Sequence, residues 1–297
     1  MARIGVCGTG KMGSEITKRL LECGQEISVW NRTQSKANLL IDYGASVSTS
    51  ISNLIKDSDV ILIIMGSDAA LDFVYKNENG LKNNDLSSKI IIELSTTSVQ
   101  KIISIEKIIT DLNGEFIECP VGGSTKPALD GNLLGLVGGN KKIFHEIEYI
   151  LKIMCRRYEY LGEVGKGASM KLAINLPLMV YWQSLGEAMS IAINSGIKFD
   201  QALDIMMDSS GSAKVAHLKA KPIMQAMNDE TNLTSTFDVS SSLKDMKLMV
   251  DEGSKNNIDL RVINSAMSYV QEAVDNGWSD FDASLLSVYI SKQNFIK

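Results

Sequence analysis

Lys171 and Asn175 stand four positions apart in the segment "GKGASMKLAINL", residues 165–176. At that spacing two side chains project from one face of a helix, and their neighbours Met170, Leu172, Ala173, Ile174 and Leu176 are all apolar. Lysines on helices are mostly solvated, so an ammonium in such surroundings calls for a task. A held ammonium can stabilise negative charge growing on a substrate oxygen and can donate a proton to it. Asn175 can fix that lysine by accepting a hydrogen bond from it, and can donate to the same oxygen.

A second constellation lies at positions 8–13, "GTGKMG", comprising Gly8, Thr9, Gly10, Lys11, Met12 and Gly13. The spacing G-x-G-x-x-G follows a strand-like run and opens a helical one. In that context the first glycine allows a tight turn, the second lets backbone approach a pyrophosphate, and the third lets helix and strand pack closely. A second strand ends in "VWNRT", which places Asn31, Arg32 and Thr33 where a carboxylate would clasp the ribose of NAD. An arginine there pairs instead with a 2′-phosphate. The residues therefore favour NADP(H) as cofactor.

These groups need two kinds of scaffold. The first half alternates β-branched runs ("RIGVCG", "EISVW", "ASVST", "DVILIIM", "KIIIELS", "EFIECPV") with helix-period segments over 12–23, 98–112 and 141–153, and strands are expected near 132–138 and 156–161. Such alternation predicts a mostly parallel sheet with helices on both faces, an α/β Rossmann domain. Gly24 and Gly114 are expected to stop the first two of those helices. After Gly162 the strand signal ends. One long helical pattern covers about 165–195, with a bend expected at Pro177, and five further helices follow. The expected division is residues 1–163 for the cofactor and 164–297 for a connecting helix with an all-α domain.

The chain has 297 residues and a formal net charge of −5, with 44% hydrophobic and 22% charged residues. These are ordinary globular values. A phosphate-backbone binder needs clustered Lys and Arg, so no nucleic-acid partner is expected. The apolar runs are too short to span a bilayer. Cys7, Cys23, Cys119 and Cys155 show no metal-ligand spacing, so no metal is expected. The opening "MARIGVCGTG" lacks the pattern of an export leader, and a cytoplasmic protein with reduced thiols is the expectation. His145 and His217 read as surface residues.

Taken together, "GTGKMG", "VWNRT", "IMGSD", "ELSTTS", "ECPVGGSTKPALDG", "GKGASMKLAIN" and "LKDMKLMVDEG" resemble, in order and spacing, the β-hydroxyacid dehydrogenase family. The likeness is strongest to its NADPH-dependent glyoxylate and succinic semialdehyde reductase branch, and 3-hydroxyisobutyrate dehydrogenase is a relative. It spans essentially the whole chain. It implies reduction of small aldehydes that bear a carboxylate, or oxidation of the corresponding hydroxyacids, by a homodimer or homotetramer. By position it implies that Met65 and Ser67 line the adenosine side of the cofactor and that Thr96 lies near the nicotinamide ribose. Lys171 matches the catalytic lysine and Asn175 its partner. Phe237, Lys244 and Asp245 match helical-domain residues that close over the site, with Lys244 approaching the cofactor. The family usually has serine where this chain has Gly122, so the substrate carboxylate is left to the backbone N–H groups of Gly122, Gly123 and Ser124 and to the Ser124 hydroxyl. Imine reductases share the fold, yet they generally lack a lysine at position 171. A catalytically silent NADPH-binding protein is the alternative from another class.

Overall fold

The computed structural model describes residues 2–230 and 233–295. The chain divides into two compact units, Met1–Leu172 and Ala173–Lys297. The boundary falls inside the long helix, so the first turns of that helix belong with the α/β unit.

The first unit runs β1 (Ile4–Cys7), α1 (Lys11–Glu22), β2 (Ile27–Trp30), α2 (Gln34–Asn38), β3 (Ser46–Val47), α3 (Ile51–Lys56), β4 (Val60–Ile63), α4 (Asp68–Lys76), β5 (Ile90–Glu93) and α5 (Val99–Asp111). It continues with β6 (Glu115–Glu118), β7 (Val121–Gly122), α6 (Thr125–Leu129), β8 (Leu133–Gly139), α7 (Lys141–Met154) and β9 (Cys155–Tyr160). The strand order is β3-β2-β1-β4-β5-β6-β8-β7, with β9 paired to β8. All neighbours from β3 to β6 are parallel, as are β8 and β9; β8 runs antiparallel to β6 and β7. The chain reverses its direction of progress at β1, and the crevice at the carboxyl ends of β1 and β4 is the place where such sheets bind ligands.

Alternation within the strands builds both faces of the core. Ile4 and Val6 of β1 and Val60 and Leu62 of β4 pack with Ile16 and Leu20 of α1 and with Ile147 and Leu151 of α7. Cys7, Ile61 and Ile63 point the other way, onto Leu54 of α3, Val74 of α4 and Ile105 of α5. Strands buried on both faces explain the near-continuous apolar runs in the sequence.

Two expectations are refined. "EFIECPV" is not one strand: Pro120 has no N–H to give a ladder, and the run breaks at Cys119–Pro120 into β6 and β7. Gly24 ends α1 with φ +77, but after α5 it is Asn113, at φ +62, that takes the left-handed conformation. Gly114 is small for another reason, since a Cβ there would stand 2.9 Å from Ile109 and Leu86 side chains.

Helix α8 (Lys166–Asn194) is continuous through Pro177. The second unit adds α9 (Phe199–Asp208), α10 (Lys214–Met227), α11 (Val239–Lys255), α12 (Arg261–Asp275) and α13 (Leu286–Gln293). Here α11 packs on α12, and α10 on α9 and α13. Buried Asp282 joins three segments: it accepts from Lys219 Nζ at 2.7 Å and from the Thr236 N–H at 2.9 Å, and its other oxygen takes the Ser284 hydroxyl at 2.7 Å.

Candidate active site

The turn between β1 and α1 is built by what its glycines lack. Gly8 has φ +105, and a Cβ on it would run into the Ile64 carbonyl at the end of β4; a Cβ on Gly13 would overlap the Gly8 carbonyl. Both are therefore demanded by the fold. Gly10 differs: a Cβ there meets nothing within 4 Å. Gly10 is also the N-cap of α1, with no side chain to satisfy the helix's first N–H groups. An open approach to the N–H donors at a helix start is an anion site. Thr9 is buried, with its Oγ1 lacking a hydrogen-bond partner among the described residues. Lys11 begins α1, and Met12 packs against the core.

Asn31 holds this turn against the end of β2: its Oδ1 accepts from the Thr9 N–H at 3.2 Å and its Nδ2 donates to the Thr33 carbonyl at 2.9 Å. Beside it opens a pocket lined by Gly10, Asn31, Arg32, Lys36, Met65 and Phe73. Phe73 stacks on Trp30, with ring centroids 6.3 Å apart and planes 5° from parallel. Arg32 and Lys36 are exposed at its rim, and neither has a carboxylate partner among the described residues. The sequence reading missed Lys36, although its place four residues after Arg32 was a usable signal.

The next loop is held from below. The Met65 N–H donates to Ser95 Oγ at 2.7 Å, the Ser95 N–H to Glu93 Oε1 at 2.8 Å, and the Tyr75 hydroxyl to Glu93 Oε2 at 2.6 Å. Burial pushes the Glu93 carboxyl up to about 7, against these hydrogen bonds. Ser67 caps α4 by accepting from the Ala70 N–H at 3.2 Å, and Thr97 donates to Asp68 at 2.6 Å. Thr96 lies partly buried between Ser95 and Thr97. The Glu93 support has no counterpart in any motif, because an acid at the end of an apolar strand looks like an ordinary strand end.

Gly122 ends β7, and Gly123 and Ser124 follow it in the turn to α6. Gly123 has φ +125; Ser124 is the N-cap of α6 but makes no side-chain cap bond. Glu118, at the end of β6, is fully buried and accepts three backbone N–H groups: Gly165 at 2.5 Å and Gly167 at 2.9 Å on Oε1, and Ala168 at 2.9 Å on Oε2. Burial pushes its carboxyl up to about 7, opposed by those donors. The glycine-rich opening of "GKGASMKLAINL" thus serves an internal carboxylate that the sequence reading did not single out.

Lys171 and Asn175 are both on α8, one turn apart, with 7% and 8% exposure. Within the second unit, Asn175 Nδ2 donates to Asp245 Oδ2 at 3.2 Å, and Lys244 Nζ lies 3.0 Å from Asp245 Oδ1. Asp245 is 1% exposed, which makes it part of the interior and not half of a solvated surface pair. Phe237 is partly buried, its carbonyl accepting from the Ala283 N–H at 2.8 Å. Among the described residues no cluster of His, Cys, Asp or Glu is arranged to hold a metal, and no helix is long and apolar enough to cross a membrane.

A glycine turn at the reversal point of a parallel sheet, followed by a long helix and an all-helical unit, defines a two-domain nicotinamide-dinucleotide oxidoreductase. Comparison with known proteins narrows the class. Residues 3–162 match the family described as the NAD binding domain of 6-phosphogluconate dehydrogenase, and residues 165–289 that described as the NAD-binding of NADP-dependent 3-hydroxyisobutyrate dehydrogenase. The chain is 32% identical to glyoxylate/succinic semialdehyde reductase 1 of Arabidopsis thaliana, over 95% of this chain and 96% of that one. Its identity to the chloroplastic reductase 2 of the same plant is 29%, over 95% of this chain and 77% of the relative. A 3-hydroxyisobutyrate dehydrogenase structure from Salmonella typhimurium superposes with a TM-score of 0.86 at 21% identity, covering 97% of this chain and 100% of that chain. The chain belongs to the β-hydroxyacid dehydrogenase family.

Proposed function

We propose that this protein reduces a small carboxylate-bearing aldehyde, such as glyoxylate or succinic semialdehyde, to the hydroxyacid with NADPH, and that Lys171 is the acid. The observation that carries the reading is a lysine 7% exposed, one helical turn from an equally buried asparagine. The name of the Arabidopsis relative supports the substrate class.

Bound NADPH supplies the hydride. The N–H groups at the start of α1 receive the pyrophosphate over Gly10, and Gly8, Thr9, Lys11, Met12 and Gly13 shape that turn. Arg32 and Lys36 pair with the 2′-phosphate, while Asn31 and Thr33 keep the end of β2 in place. Met65 and Ser67 would contact the adenosine half of the cofactor, and Thr96 its nicotinamide ribose. Lys171 holds its proton on Nζ, attracts the charge that grows on the carbonyl oxygen, and then gives the proton to it. Asn175, oriented by Asp245, accepts from the lysine. The amides of Gly122, Gly123 and Ser124 hold the substrate carboxylate, and Phe237, Lys244 and Asp245 are the candidate binding residues of the helical unit by their family positions. A protonated lysine suits reduction, whereas oxidation of the alcohol needs the neutral amine, so oxidation gains in alkali.

We place the enzyme in the cytoplasm, in keeping with four free cysteines, and as a homo-oligomer, a dimer or tetramer, in keeping with exposed Ile191, Leu218 and Val262 on its helical unit. The test is NADPH consumption with glyoxylate and succinic semialdehyde against a cyclic imine. Turnover of the aldehydes that Lys171→Ala abolishes, with NADPH binding intact, supports the reading. Turnover of the imine alone, or full activity in Lys171→Ala, ends it.

A further inference from the structure

We infer that Glu118 is a positioning residue: its buried carboxylate fixes the first turn of α8 to the end of β6, and so sets where Lys171 stands relative to the turn at 122–124. The inference rests on the assignment of the chemistry to Lys171.

The first N–H groups of a helix have no partner within it, and a negative charge there is favoured by the helix dipole. In α8 one carboxylate meets three such donors, from Gly165, Gly167 and Ala168, at 2.5, 2.9 and 2.9 Å. The space for it is made by absent side chains. A Cβ on Gly138 would run into Glu118 Oε1, and one on Gly167 would meet the Leu136 carbonyl and stand 3.0 Å from Glu118 Cδ. Gly165 is held at φ +97, so the entry to the helix is locked as well.

Lys171 follows Ala168 by three residues, about 4.5 Å along the axis. Rotation or fraying of the first turn therefore moves the ammonium directly. In the other direction Glu118 is joined through Cys119 and Pro120 to β7, whose Val121 is paired with Gly135 and Gly122 with Leu134. One side chain thus ties the carboxylate-binding turn to the helix that carries the acid.

Glu118→Gln keeps the shape but turns an N–H₂ group toward backbone donors, leaving at least one N–H unmet. Glu118→Asp keeps the charge on a shorter arm. We expect both to lose kcat by on the order of tenfold to a hundredfold, with the aspartate variant the milder and the KM and Kd for NADPH little changed. Rates are normalised to NADPH-binding sites, so that a reduced yield of folded protein does not enter, and the aspartate variant gives the measurement if the glutamine variant does not accumulate. A purely structural glutamate would lower the melting temperature and leave kcat per site at the wild-type value, which would overturn the inference. Lys171→Ala is run beside them. If it keeps its turnover the assignment of the acid falls; if it is dead while the Glu118 variants turn over normally, only the positioning role falls.

Discussion

Asn175 Nδ2 donates to Asp245 Oδ2 across 3.2 Å, joining α8 to α11 between residues seventy positions apart in sequence. With Nδ2 committed, the amide plane is set and Oδ1 is left as the accepting atom. Removing one partner of a buried hydrogen bond leaves the other to bear its desolvation, at a cost of about 1–3 kcal/mol. Asn175→Ala should lower stability by that amount. Asn175→Asp should cost more at pH 8, because it sets a second carboxylate against Asp245. Urea unfolding of the two variants checks the order; equal midpoints would show that the contact carries no charge preference.

Arg32 and Lys36, both exposed and on one side of the pocket beside β2, give the second prediction. Hydrogen bonds to charged groups contribute about 1.5–3 kcal/mol each. Arg32→Ala should therefore raise the KM for NADPH by roughly tenfold to a hundredfold, Lys36→Ala by less, and neither should change the KM for NADH appreciably. Initial rates with both cofactors decide it. Equal losses with NADH and NADPH would remove these residues from phosphate recognition.

Much of this was legible in the sequence because it depends on short-range patterns. β-branched runs gave the parallel strands, and G-x-G-x-x-G in its strand-turn-helix setting placed the phosphate turn. The four-residue spacing of Lys171 and Asn175 put them on one face of a helix. What stayed hidden depends on tertiary placement. Glu93 and Glu118 look like the ends of ordinary apolar strands. Their roles come from Ser95 and Tyr75 in one case, and from backbone N–H groups nearly fifty residues away in the other. The break at Pro120 was missed for a related reason: β6 and β7 pair with different stretches of β8, a partition that no local window contains.

The buried carboxyl of Glu93 fixes a pH dependence of stability. Burial lifts it to about 7 from its ordinary 4.5. Between those values the native state holds a proton that the unfolded chain has released, so stability is full below about 4.5 and is lost as pH rises to about 7. Glu118 acts in the same direction over the same window. Glutamine at 93 can accept from Ser95 and donate to Tyr75 without needing a proton. Glu93→Gln should therefore reduce the fall in unfolding free energy between pH 5 and pH 7 by roughly 2 kcal/mol. Urea titrations at the two pH values measure this, and an unchanged slope would place the titrating group elsewhere.

The three glycines of the first turn should separate folding from binding. Alanine at Gly13 must displace the Gly8 carbonyl, and alanine at Gly8 must displace the Ile64 carbonyl while adopting φ +105. Both changes force backbone apart in the middle of the core, so each should cost several kcal/mol, in the range reserved for strain at special conformations and overpacking. Alanine at Gly10 meets no atom within 4 Å, and its stability effect should stay within about 0.5 kcal/mol. Its methyl group, however, stands where backbone must come close to a pyrophosphate. Gly10→Ala should therefore melt like the wild type yet bind NADPH at least about tenfold more weakly, the loss of one charged hydrogen bond. Melting curves with and without NADPH give both quantities in one experiment. The wild type should be shifted upward by the cofactor and Gly10→Ala much less. An equal shift in both would mean that the phosphate does not sit over Gly10, and the anion site would have to be sought elsewhere along the β1–α1 turn.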